Sequence, residues 1–134
     1  MLTSTNKVLE YPYFCGKLDI TMKIEQVIGL TKAKVICGND RDVMVKAAFS
    51  SDLMSDVLTI DSDNLLLITG MANLQAIRTA EMADINCILL VRDKKATCEM
   101  IKLAEESGII LMETSFSQYR ASGILFEAGL KPVY

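Results

Sequence analysis

The chain reads as an α/β domain, a compact three-layer arrangement in which helices flank a mostly parallel sheet and an N-terminal hairpin makes that sheet mixed. Three observations predict it. Four short apolar stretches, residues 45–49, 65–68, 88–91 and 109–112, each stop at a small polar cluster. The last three run without apolar–polar alternation, as strands buried on both faces do in parallel sheets. Each of those three is followed by a segment with helical spacing, and strand–helix repeats of this length favour right-handed βαβ crossovers.

Residues 1–21 lack sustained periodicity, and Met22 opens a segment that reads as a fresh beginning. They are expected to be an N-terminal extension, disordered or non-native. The alternative is an arm that packs on a partner through Tyr11, Tyr13 and Phe14. The domain then covers 22–134. Residues 23–30 place Ile24, Val27 and Leu30 on one helical face. Residues 33–37 form a strand, Gly38-Asn39-Asp40-Arg41-Asp42 is turn chemistry, and 43–49 is the next strand, expected to pair with the first as a hairpin. A helix over 52–60 has Ser51 or Asp52 as its cap, and 61–64 is a turn.

From residue 65 the pattern is regular. The strand 65–68 leads to Asn73, which caps a helix over 74–84 that buries Leu74, Ile77 and Ala80. After the strand 87–91, Thr97 caps a helix over 98–107 that buries Met100, Ile101 and Ala104, with Gly108 at the position where helices favour a left-handed residue. The strand 109–112 precedes a last helix that starts from Ser115 or Ser117 and ends near Gly129.

A chain of 134 residues suits one domain, and one of this size buries roughly 65–70% of its unfolded surface without a metal or disulfide staple. With 51% apolar and 23% charged residues it is globular in composition. Eight methionines suggest more apolar surface than one small core hides, for which self-association is an outlet. The net charge of −3, with no basic run, argues against nucleic-acid binding. No apolar run approaches the roughly 18 residues that span a bilayer, so no membrane association is expected. The four cysteines, Cys15, Cys37, Cys87 and Cys98, have no CxxC spacing, and the chain has no histidine. Zinc spacing is therefore absent, Cys87 reads as a buried thiol, and a reduced, cytoplasmic setting is expected.

No phosphate-binding GxxxxGK[ST] loop, GxGxxG or GxSxG motif occurs, and without histidine no Ser-His or Cys-His nucleophile can be assembled. No cofactor and no metal are implied. What remains is the edge where parallel strands end, the usual ligand side of such sheets. Ser50-Ser51-Asp52 stands at the first strand end, and Asp52 and Asp56 are four residues apart, so on one helix both carboxylates share a face. Thr69-Gly70 and Asn73 follow the second strand. Glycine there lets a ligand approach the backbone, although a tight turn needing its φ angle explains the same residue. Arg92 follows the third strand and can pair with a phosphate or carboxylate. Arg78 lies on a helix, where pairing with Glu81 suffices to explain it. Thr114, Ser115 and Ser117 supply hydroxyls at the last strand end, where helix capping is the alternative.

The runs Ser51-Asp-Leu-Met-Ser-Asp-Val-Leu58, Leu66-Leu-Ile-Thr-Gly70, Ile77-Arg-Thr-Ala-Glu-Met-Ala-Asp-Ile85, Ile88-Leu-Leu-Val-Arg92, Ala121-Ser-Gly123 and Gly129-Leu-Lys-Pro-Val-Tyr134 together resemble the DRTGG domain, in its small stand-alone form. The resemblance covers residues 22–134. That family is similar to the N-terminal domain of HPr kinase/phosphorylase, but this chain has no P-loop kinase domain, so a serine-kinase activity is not implied. The literal Asp-Arg-Thr-Gly-Gly string is absent, and only Thr69-Gly70 matches its end. The resemblance implies a regulatory or assembly module that contributes to dimer contacts.

The expectation is thus a non-catalytic, homodimeric module that senses a small anionic metabolite or nucleotide through Ser51, Asp52, Thr69, Gly70, Asn73, Arg92, Thr114 and Ser115. Two alternatives stand beside it. One is a metal-assisted phosphotransfer enzyme or hydrolase using Asp52 and Asp56. The other is an accessory protein of a redox, hydrogenase-type assembly.

Overall fold

A computed structural model describes residues 21–134 except Arg41. The expected extension, with Tyr11, Tyr13, Phe14 and Cys15, lies outside the described residues apart from Thr21.

The continuous apolar runs become strands buried at every position. These are β5 (Leu65–Thr69), β6 (Cys87–Leu90) and β7 (Ile110–Glu113). They sit side by side in parallel register, Leu66 beside Cys87 and Cys87 beside Ile110. Four more strands precede them: β1 (Met22–Lys23), β2 (Lys34–Cys37), β3 (Met44–Val45) and β4 (Ala47–Ser50). The last, β8 (Lys131–Pro132), closes the set. The main sheet is six-stranded in the order β2-β7-β6-β5-β4-β8, while β1 and β3 form a separate antiparallel pair.

The period of two along each strand sends side chains to opposite faces. Leu65, Leu67, Ile88, Leu90 and Leu111 pack with Val57, Ile77, Ala80, Met100 and Ala104 from α2 (Met54–Val57), α3 (Leu74–Met82) and α4 (Cys98–Ser107). Leu66, Ile68, Leu89, Ile110 and Met112 pack with Ile24, Val27, Ala121 and Leu125 from α1 (Ile24–Thr31) and α5 (Gln118–Glu127). Both faces are therefore covered, the three-layer arrangement expected for apolar runs without alternation. Each fully buried leucine in these runs contributes about 1.5–3 kcal/mol relative to exposure.

The sheet is mixed, but its antiparallel member differs from the expected hairpin. β2 pairs antiparallel with β7, and β7, β6 and β5 separate it from β4. The parallel register of β4 against β5 runs for four residue pairs, from Ala47–Leu65 to Ser50–Ile68. Satisfying it carries β4 to the far side of the sheet. Gly38 begins the crossing with φ at +96°, so close to β7 that a Cβ would lie 2.9 Å from Ile110. The segment entering β4 is then held by β1, which pairs with β3, and by the first residue of α1, whose Ile24 N–H donates to the Val43 carbonyl at 2.9 Å.

Helix ends follow their local chemistry. The side chains of Asn73, Thr97 and Ser117 accept N–H bonds from Ala76, Met100 and Arg120. Gly108 ends α4 with φ at 71°. In α1 the buried face uses Thr31 where the spacing predicted Leu30, which is exposed; the Thr31 hydroxyl donates to the Val27 carbonyl at 2.7 Å, so a polar group is buried without loss. Leu74 and Ile101 are only partly buried. Among the described residues, no helix is long and apolar enough to cross a membrane.

Candidate ligand-binding edge

Residues 52–60 do not form the expected helix, and that difference creates the site. The Ser51 hydroxyl accepts from the Leu53 N–H at 3.0 Å, making a tight turn, and α2 starts only at Met54. Asp52 is thereby left outside the helix and reaches across to the end of β5. Its Oδ1 accepts from the Gly70 N–H at 2.7 Å and from the Thr69 hydroxyl at 3.0 Å. Its Oδ2 pairs with Arg92 Nη1 at 2.8 Å. Asp56 stays on α2, exposed, so the two carboxylates do not share a helix face. Among the described residues no group of three metal-binding side chains is placed to hold an ion.

Arg92 sits on a backbone that few residues tolerate. Its φ is 62° and that of Asp93 is 58°, two consecutive non-glycine residues in the left-handed region. Two hydrogen bonds enforce this turn: the Arg92 N–H donates to the Phe116 carbonyl at 2.8 Å and the Asp93 N–H to the Thr114 carbonyl at 3.1 Å. Strain of this kind persists where the surroundings over-determine it, and it concentrates at functional sites. The turn aims the guanidinium flat across Gly70, where a Cβ would overlap its Cζ and both Nη atoms. Gly70 does not need a positive φ. The tight-turn explanation is thus replaced by close approach of a side chain.

Electrostatics at Asp52 are a contest. Desolvation pushes its carboxyl up, but the Gly70 N–H, the Arg92 guanidinium and the Thr69 hydroxyl outweigh it and leave it below the usual carboxylate range. The two charged side chains are nonetheless 36% and 40% exposed, so the pair meets solvent.

Two residues that the sequence did not single out, Gln118 and Ser122, extend the cluster through Ser50. Gln118 Oε1 accepts from Arg92 Nη1 at 3.2 Å, and its Nε2 donates to the Ser50 hydroxyl at 3.0 Å. Ser122 lies 3.1 Å from the same hydroxyl. Gln118 and Ser122 are one turn apart on α5, a spacing that marks a shared polar face beside the buried Ala121 and Leu125. That spacing was the available signal. Beyond the two serines, the described residues enclose a cleft of about 530 Å³ between α5 and the β4–β8 side of the sheet. Phe49, Tyr119, Phe126 and Tyr134 are among its walls.

The remaining candidates do local work. Asn73 caps α3. The Thr114 hydroxyl is buried, donating to the Thr31 carbonyl at 2.6 Å and accepting from the Phe116 N–H at 3.2 Å. Ser115 is exposed, and it is Ser117 that caps α5. Arg78 is exposed, while Glu81 accepts from the Ser107 hydroxyl at 2.8 Å. Cys87 is buried, and desolvation pushes its thiol up to about 12.

The fold and its edge together define a mixed α/β domain that collects one ion pair and a glycine where parallel strands end. No protein-family model matches this chain, and neither does any curated protein. Among solved structures it is similar to the CBS and DRTGG domains of the regulatory region of a Clostridium perfringens pyrophosphatase, determined with the activator diadenosine tetraphosphate. The TM-score is 0.68 at 13% identity, over 83% of this chain. The chain spans about half of that structure, 48% of its length. At such identity the likeness is one of fold alone, and it is consistent with the DRTGG resemblance.

Proposed function

We propose that this chain is a non-catalytic regulatory or assembly module of the DRTGG type, homodimeric, that senses a small anionic metabolite or nucleotide at the strand-end edge. One observation carries the reading. Arg92 is held by a strained turn, half exposed, and among the described residues its Nη1 contacts the side chains of Asp52 and Gln118 while Nη2 has a 3.5 Å bond to the Gly70 carbonyl. A guanidinium positioned in this way offers a phosphate or carboxylate a preformed donor, with Asp52 as the internal anion it displaces. Thr69 and Gly70 complete the edge, and Ser51, Asn73, Thr114 and Ser115 shape the loops around it. The regulatory character draws on the fold neighbour, which comes from a regulatory region and was crystallised with a nucleotide activator. Self-association is supported by Leu53, Leu58 and Met82, large apolar side chains exposed on the α2–α3 side.

The test is thermal stability against a panel of nucleotides and phosphorylated metabolites. A ligand at 100 times its Kd adds about 2.7 kcal/mol, and Arg92→Gln is expected to abolish that gain. No stabilisation by any member of the panel refutes sensing, and a strict monomer by light scattering at micromolar concentration refutes the homodimer.

A further inference from the structure

The cleft beside α5 lies outside the Asp52–Arg92 pair but is wired to it. From Arg92 the hydrogen bonds run through Gln118 to the Ser50 hydroxyl and on to Ser122, and Ser50 and Ser122 both line the cleft. A volume of about 530 Å³ is in the range of small-molecule sites. The walls combine two chemistries. Phe49 and Tyr134 form a tilted ring pair with centroids 6.1 Å apart, and Tyr119, Phe126 and Tyr134 are 89%, 63% and 90% exposed. The two serine hydroxyls stand on the side towards Arg92.

We propose that this cleft receives the base of a nucleoside monophosphate whose phosphate is taken by Arg92, with the Ser50–Ser122 hydroxyls meeting the polar atoms between them. The inference rests on the reading of Arg92 as an anion receptor and adds the recognition of the rest of the ligand. A bare anion leaves the aromatic walls unused, and a purely apolar ligand leaves the hydroxyl pair and the guanidinium unused. A flat ring joined through a hydroxylated spacer to an anion uses all three in the order in which the structure presents them. Aromatic side chains stack on any base, so the walls select planarity.

Gly123 supplies the decisive variant. It lines the cleft on α5, and a Cβ built there meets nothing within 4 Å. Gly123→Leu therefore adds a bulky side chain at the cleft wall from a position where a Cβ meets open space, and it replaces a helix-interior glycine with a stronger helix former. Tyr119→Ala, at an almost fully exposed residue, is a second variant that carries no threat to folding.

The experiment is NMR titration of the full chain with adenosine monophosphate, adenosine and inorganic phosphate, following the ring signals of Tyr119 and Tyr134 and the side chain of Arg92. With the monophosphate, all three respond in the wild type. Gly123→Leu and Tyr119→Ala each weaken the monophosphate by roughly tenfold or more and leave inorganic phosphate at Arg92 unchanged. Arg92→Gln abolishes the phosphate response while adenosine still moves the tyrosine rings. If the monophosphate binds at Arg92 with equal affinity in Gly123→Leu and Tyr119→Ala, the cleft assignment is overturned and the anion reading stands. If neither the monophosphate nor phosphate moves Arg92, both are overturned.

Discussion

At one end of the strand edge, Asp52, Thr69 and Arg92 bond to one another across β4, β5 and β6 and leave the two charges half exposed. At the other end, Glu113 and Thr114 are buried and bond mainly to backbone: Glu113 to the Ala96 N–H at 2.7 Å, Thr114 to the Thr31 carbonyl. Residue types are similar, an acid and a threonine at a strand end in both places. What separates them is who answers the polar atoms. Backbone partners close the Thr114 end into scaffold, because a buried polar group must be permanently satisfied. Side-chain partners leave the Arg92 end half exposed, and on the proposed reading it is here that an incoming anion takes the place of Asp52.

The contrast can be broken experimentally, with the largest stability effect expected at the closed end. Thr114→Val removes a buried hydroxyl that serves both the Thr31 carbonyl and the Phe116 N–H, and should cost about 1–3 kcal/mol in urea unfolding. Ligand response should remain. Abolished binding with unchanged stability would reverse the roles assigned to the two ends.

Gly70→Ala comes next. The new Cβ occupies the place of the Arg92 guanidinium, a flexible group that can swing away, so the fold should lose no more than about 1 kcal/mol. The anion response should vanish, as judged by the thermal shift with nucleotides. An unaltered response would show that the approach of Arg92 to Gly70 is irrelevant to binding.

Asp52→Asn sharpens the comparison at smaller scale. It removes the internal competitor for Arg92, so anion affinity should rise several-fold by calorimetry, while stability at pH 7 falls by less than about 1 kcal/mol for so exposed a pair. Lowered affinity would mean that Asp52 serves to aim Arg92 and not to compete.

The smallest effect is in pH. The Asp52 carboxyl is depressed in the fold below its ordinary 3.8, so its contribution is fully present above that value and is lost as pH falls through the folded value. The wild type should therefore lose slightly more stability than Asp52→Asn on acidification below pH 4. Parallel acid-unfolding curves would remove Asp52 from the account.

How much of this was legible in the sequence follows the range of the interaction. The helix 98–107 matches α4 (Cys98–Ser107) because Thr97 and Gly108 act within one turn of its ends. Asn73 and Ser117 were readable for the same reason, and β5 to β7 because burial on both faces leaves an unbroken apolar run. The sequence places Asp52 at the strand-end edge, but local chemistry allows it to be a cap or a helical acid there, whereas its partners lie 17 to 40 residues away. The hairpin expectation failed likewise: adjacent strands 33–37 and 43–49 pair locally by default, but the register of β4 with β5 is a long-range choice. Gln118 and Ser122 carried only a faint signal in their spacing, because their partner Ser50 lies 68 and 72 residues away.

The doubly left-handed turn at Arg92 and Asp93 has a mechanical consequence. Its two backbone N–H groups are tethered to Phe116 and Thr114, the peptides that lead into α5. The backbone that carries Arg92 is therefore tied, main chain to main chain, to the start of the helix that walls the cleft. An anion that steadied Arg92 would steady this turn with it, and slowed amide exchange at Arg92 and Asp93 is where that linkage would be heard.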